Sequence, residues 1–165
     1  MMDHEATVRK DIRGPEMVPT RCVKTLDRSE ALRLLATVLL GRIVFTEHAL
    51  PAVRPASHLV DGEDLIVRIQ GGGASVLLPA TPDVPAVVVA YEADAIDPET
   101  RLGWSVVVTG YASLIGDDDE ADRYEALLLP WASQTATKAL SIRPDLVTGF
   151  RLGAEAAHPA PGAST

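Results

Sequence analysis

Two arginines and a run of three glycines are the residues of this chain whose types and spacing could do chemistry. Arg54 and Arg68 stand on either side of an Asp61-Gly62 pair, and Gly71-Gly72-Gly73 with Ser75 follows directly. Planar guanidinium forks suit carboxylates and phosphates. Consecutive glycines let backbone N–H groups approach an anion at the start of a helical turn, where Ser75 adds a hydroxyl donor. Two strands joined at Asp61-Gly62 would carry the arginines on neighbouring strands. With both side chains on one side, they and the glycine loop would form a compact pocket for a phosphate. The plainer alternative is a connecting turn, with arginines paired at the surface to Glu63, Asp64 or Glu92, contacts of small energetic weight. The residues alone leave both open.

Other chemistry finds little support. His4, His48, His58 and His158 form no metal-type pair, and the single cysteine, Cys22, has no ligand set around it, so no metal is expected. GGGAS lacks the second glycine of a G-x-S-x-G elbow, and no G-x-G-x-x-G fingerprint or Gly-Lys-Ser/Thr loop is present. The acidic run Asp117 to Glu120 directly precedes a helical pattern, where carboxylates cap N–H groups and oppose the helix dipole.

Bulk composition agrees with a small-molecule site. The chain has 165 residues, 47% of them apolar, and a net charge of −8. That suits one domain with one core and argues against nucleic acid or an anionic membrane as general partner. With no signal-like start, no run of about 18 apolar residues and no disulfide pair, a cytoplasmic protein is expected.

The elements that must position the arginines follow from periodicity. Residues 1–25 read as an arm with at most one short element, 26–152 as the folded domain and 153–165 as a disordered tail. Thr25 to Leu40 carries a capped helical pattern. Gly41 to Thr46, Leu50 to about Val60 and Asp64 to Ile69 form an antiparallel meander. Ala86 to Tyr91 reads as a central strand, EADAIDPETR as an exposed turn, and Trp104 to Ile115 as a long strand bent at Gly110. A helix over DEADRYEALLL, a short helix at Gln134 to Ile142 and a last strand from Pro144 to Leu152 complete the chain. The expected class is mainly β with flanking helices (α+β), a small closed structure of six antiparallel strands.

GRIVFT, LPAVRPASHLVDGEDLIVRI, the glycine loop, VVVAYEADAIDPETRLGWSVVVTGYASLI and a late PWA, in this order and spacing, resemble the pyridoxamine 5'-phosphate oxidase-like family of split β-barrel flavoproteins, in particular its small actinobacterial-type members. The resemblance runs from about Leu26 to Leu152. It implies a homodimer binding FMN in two clefts at the subunit interface and carrying out redox chemistry on a small organic substrate. Arg54, Pro55, Ala56 and Ser57 would line the flavin ring, and Val67, Arg68 and Ile69 would continue toward the phosphate. Gly73, Ala74 and Ser75 would close over the phosphate, and Trp131 would wall the cleft. The cofactor would supply the electron chemistry, which fits the absence of an acid–base constellation.

The chain departs from the family pattern in two places. A Thr or Ser commonly follows the strand-three arginine and a Lys stands further on, where this chain has Ile69 and Ala74 or Ser75. Each lost charge-assisted bond is worth about 1.5–3 kcal/mol. A deazaflavin-dependent reductase and a non-enzymatic scaffold with a degenerate phosphate site are therefore the alternatives to an FMN enzyme.

Overall fold

The computed structural model describes residues 21–70, 86–128 and 137–154. Their elements are β1 (Arg21–Thr25), α1 (Arg28–Leu35), β2 (Leu40–Glu47), β3 (Leu50–Asp61), β4 (Asp64–Gln70), β5 (Val87–Ile96), β6 (Gly103–Leu114), α2 (Asp118–Leu127) and β7 (Thr137–Ala154). All strand pairs are antiparallel. The order is β1-β7-β4-β3-β2-β5-β6, and a further pairing of β6 with β7 closes β2 to β7 into a ring. β1 lies outside that ring, continuing along the edge of β7 that β4 leaves. The chain is thus mainly β with flanking helices, with six strands in the ring and a seventh added from the segment read as an arm.

Alternation of side chains explains the core. Gly41, Ile43 and Phe45 of β2, Leu65, Val67 and Ile69 of β4, Val89, Tyr91 and Ala93 of β5, and Trp104, Val106 and Val108 of β6 are all buried. They fill the inside of the ring with Leu140 and Ile142 of β7 and Leu35 of α1. The aliphatic strands therefore do what period-two patterns do in a half-buried sheet. Gly110 sits at a register shift between β6 and β7, and a Cβ there would lie 2.1 Å from the Arg143 carbonyl oxygen. The bend expected at this glycine is a place of close backbone approach.

Three stretches differ from expectation. The helix is shorter than Thr25 to Leu40: Asp27 caps it, its carboxylate accepting the Glu30 N–H at 2.8 Å, while Thr25 belongs to β1 and Leu40 to β2. EADAIDPETR is only partly a turn. Its first half extends β5 to Ile96 because Ala93 is buried and the ladder with β6 continues to Gly103. Thr137 to Ile142 is strand, not helix, because it pairs with β4 over its whole length and Leu140 and Ile142 point into the core. Pro144 does not start the last strand. It occupies the register shift opposite Gly110, where a missing N–H is tolerated.

Candidate functional site

The β3–β4 hairpin turns through Gly62 and Glu63 between the paired Asp61 and Asp64, one residue later than an Asp-Gly turn would, with Gly62 at a φ of 62° in the first central position that hairpin turns reserve for glycine. Its register sets Ser57 opposite Arg68 and His58 opposite Val67. Ser57 and Arg68 therefore share the outer face of the sheet, whereas Ala56 and His58 point inward. By the same alternation Arg54 also points inward, with Ala52 and Ala56. The two arginines consequently lie on opposite faces of the sheet, and the shared pocket that neighbouring strands would have allowed does not form within one chain. Alternation over the three residues from Arg54 to Ser57 reverses the side.

Each arginine has its own setting. Arg54 donates to the Glu47 carboxylate at 3.1 Å and its guanidinium lies 5.7 Å from the Phe45 ring centroid. Its Nε is buried without a hydrogen-bond partner among the described residues. Glu47 and Leu50 close a two-residue turn in which His48 and Ala49 have φ of 51° and 64°, so this ion pair spans the base of a tight hairpin. Arg68 reaches across β4 to α2, where its Nη1 donates to the backbone oxygens of Glu125 at 3.0 Å and Leu128 at 2.6 Å. A cation on the last carbonyls of a helix satisfies orphan acceptors and opposes the dipole.

Helix α2 is placed by its own chemistry. Asp117 accepts the Glu120 N–H at 2.8 Å, and Asp118, Asp119 and Glu120 fill the first turn, the capping role read from the acidic run. Tyr124 and Leu128 pack on Ile66 and Ala139 outside the ring. The Tyr124 hydroxyl donates to Asp61 at 2.7 Å, and Arg123 pairs with the same carboxylate at 3.2 Å. No group of metal-ligating residues occurs among the described residues.

Of the remaining candidates, Pro55 is exposed on the outer face and Ser57 is almost covered. The side chains of Ala56, Val67 and Ile69 are core. Ile69, where the family pattern has a hydroxyl, is 1% exposed inside the ring. Gly73, Ala74, Ser75 and Trp131 lie outside the described residues.

Two features were not apparent in the sequence. His58, one of four scattered histidines, is buried. Its Nε2 lies 2.9 Å from the Leu35 carbonyl and its Nδ1 2.8 Å from the Tyr91 hydroxyl, which is also 2.8 Å from the Ala56 carbonyl. Leu35 O can only accept, so Nε2 carries the proton of the neutral ring. Burial holds the histidine below its usual range, against the raising effect of the Leu35 carbonyl, and pushes the Tyr91 phenol up. The signal available was parity: His58 stands between Ala56 and Val60 on the inward side of a strand.

The second is an apolar strip. Val53, Val44, Ala90, Thr109 and Leu146 stand in successive register across β3, β2, β5, β6 and β7. The Val88–Tyr111 pair lies next to this row on the same face, and Phe150 stands four residues along β7 from Leu146, beyond the Val107–Thr148 pair. Val53, Val88, Tyr111, Leu146 and Phe150 are exposed large hydrophobics on the outer surface that also carries Ser57 and Arg68. Because β2 to β7 close into a ring, this row runs round most of its circumference, and only neighbours such as Val53, Val44, Ala90 and Val88, on the adjacent strands β3, β2 and β5, share one direction as an interaction surface would.

Comparison with known proteins agrees with the architecture. The family model described as pyridoxamine 5'-phosphate oxidase matches residues 27–151. The uncharacterised protein Rv0080 of Mycobacterium tuberculosis is 47% identical over 140 residues, covering 84% of this chain and 91% of its own. The FAD-binding protein of Mycobacterium smegmatis superposes with a TM-score of 0.58 at 32% identity, over 77% of this chain and 95% of that one. An FAD-binding protein of Mesorhizobium loti has the same fold, with a TM-score of 0.63 at 20% identity over 81% and 99% of the two chains. With its family match spanning nearly the whole described fold, the chain belongs to the pyridoxamine 5'-phosphate oxidase-like family.

Proposed function

We propose that the chain is an FMN-binding oxidoreductase of the cytoplasm, a homodimer of split β-barrel subunits with a flavin in each of two clefts between the copies. One observation carries this reading: Ser57 and Arg68 stand opposite each other on the outside of the β3–β4 hairpin, on the same face as exposed Pro55 and Val53 and next to the apolar side chains of β2 and β5. A second copy packed on this face, over Val53 of β3 and Val88 of β5, would wall the surface on which those polar groups stand. The residues fit the cofactor in kind, with a guanidinium for the phosphate, a hydroxyl for a ring or ribityl oxygen, and Pro55 as an apolar contact for the ring.

When bound, a flavin would supply two-electron redox chemistry between a small organic substrate and a second substrate that donates or accepts the electron pair. This chain's part is orientation and exclusion of water. Arg68, already oriented by α2, would meet the phosphate together with Gly73, Ala74 and Ser75. Arg54, Ala56, Val67 and Ile69 would act from the inner face, holding the strands that present Pro55, Ser57 and Arg68. Trp131 would close the cleft. Because Ile69 points into the core, its lack of a hydroxyl weighs less against a phosphate site than its place in the sequence suggests.

A second reading concerns the occupant. The M. smegmatis relative is described as binding FAD, so an adenine extension is the leading rival to FMN. Deazaflavin titration separates a third possibility. The dimeric part is tested by sedimentation of Val88→Asp with and without FMN. The expected result is a monomer that has lost FMN binding. A Val88→Asp monomer binding FMN like the native chain would refute the shared cleft, and equal failure of the native chain with FMN, FAD and deazaflavin would support the non-enzymatic scaffold.

A further inference from the structure

We propose that the groove between α1 and the β3–β4 turn binds a small carboxylate with an apolar body, away from the Ser57–Arg68 pair. The groove holds about 430 Å³ and is lined by Arg28, Leu32, Arg33 and Ala36 of the helix side and by Val60 and Glu63 of the hairpin side. That volume is within the usual range for small-molecule sites.

Helical geometry explains the lining. At 100° per residue, Ala31 and Leu35 turn one flank of α1 into the core, while Leu32 and Ala36 fall on a neighbouring flank facing the groove. Arg28 and Arg33 fall on either side of that second strip. Val60 supplies the opposite apolar wall, and it too packs against the core. The floor is therefore apolar with a cation at each margin.

The cations are lightly engaged. Arg28 makes one long bond, 3.4 Å to the Pro144 carbonyl, and Arg33 makes no hydrogen bond or ion pair among the described residues, although it lies near enough to Asp27 to help hold that carboxyl below its usual range. Asp27 is tied to Ser29 and the Glu30 N–H, and Glu30 to Arg151, which leaves Glu63 as the one acidic side chain lining the groove. In a chain of net charge −8, two arginines flanking an apolar strip select an anion with a hydrocarbon body over a neutral apolar molecule. The groove lies at the turn end of the hairpin, whereas Ser57 and Arg68 form its far registered pair.

Octanoate is a suitable probe, followed by amide chemical shifts of the full chain. Saturable shifts at Leu32, Ala36, Val60 and Gly62 are expected, with octanol at least tenfold weaker. Arg28→Gln with Arg33→Gln should weaken octanoate at least tenfold, and Ala36→Trp, which fills the groove while keeping both arginines in the chain, should abolish it. Absence of saturation, equal affinity for octanol, retention of affinity in the double variant, or shifts centred on Ser57 and Arg68 would each overturn the proposal. These readouts use no flavin and stand apart from the fate of the FMN reading.

Discussion

The Tyr91 hydroxyl lies 2.8 Å from His58 Nδ1 inside the ring of strands, and this contact joins β3 to β5 behind the candidate site. His58 also reaches the Leu35 carbonyl and Tyr91 the Ala56 carbonyl. With a neutral imidazole protonated at Nε2, the single phenolic proton faces two acceptors, Ala56 O and His58 Nδ1. The network is buried and fixes Ala56, the neighbour of both Pro55 and Ser57.

Tyr91→Phe removes that proton and leaves both acceptors buried. An unsatisfied buried polar group costs about 1–3 kcal/mol. Denaturant unfolding should therefore show a loss of that order with an unchanged slope. A variant as stable as the native chain would show that the network contributes nothing.

Acid should weaken the fold through His58. Burial lowers its pKa in the native state, so the unfolded chain takes up the proton first as pH falls. The contribution is complete above the unfolded value near 6.5 and is lost below it, by at most about 1.4 kcal/mol per pH unit. Stability measured from pH 7.5 to 5.5 should decline in the native chain and decline less in His58→Gln. Parallel profiles would contradict this assignment.

Arg68 holds the end of α2 through two carbonyls, so Arg68→Gln should loosen that end. Amide exchange in the last turn of α2 should quicken, with a stability loss of about 1–2 kcal/mol, while the hairpin register stays intact. Unchanged exchange at Tyr124 to Leu128 would show that the capping contact is dispensable.

Gly110→Ala tests the bend in β6. Its Cβ would meet the Arg143 carbonyl at 2.1 Å, backbone against backbone, with no flexible side chain to yield. A loss of about 2–4 kcal/mol, visible as a lower Tm, is expected from the forced shift of β7.

Much of the fold was legible because a core built by alternation writes itself into period-two runs such as GRIVFT and WSVVVTG. The acidic cap of α2 at Asp117 and the presence of a hairpin turn next to Asp61 are local and were legible without knowledge of pairing partners. Pairing partners are not local. Thr137 to Ile142 became strand because β4 and β6 border it, and β1 formed on an edge of β7 distant in sequence. The site was half legible: the residue types pointed to an anion, but the faces of Arg54 and Arg68 depend on a parity that neighbouring strands alone do not reveal. His58 and Tyr91 were invisible as a pair because β2 lies between their strands.

The most direct test of the flavin account is fluorescence titration of FMN into the native chain and Arg68→Gln. Saturable binding of one FMN per chain, weakened at least tenfold in the variant, is the predicted result; that factor corresponds to about 1.4 kcal/mol or more. Failure of the native chain to saturate, or equal affinity in Arg68→Gln, would contradict it.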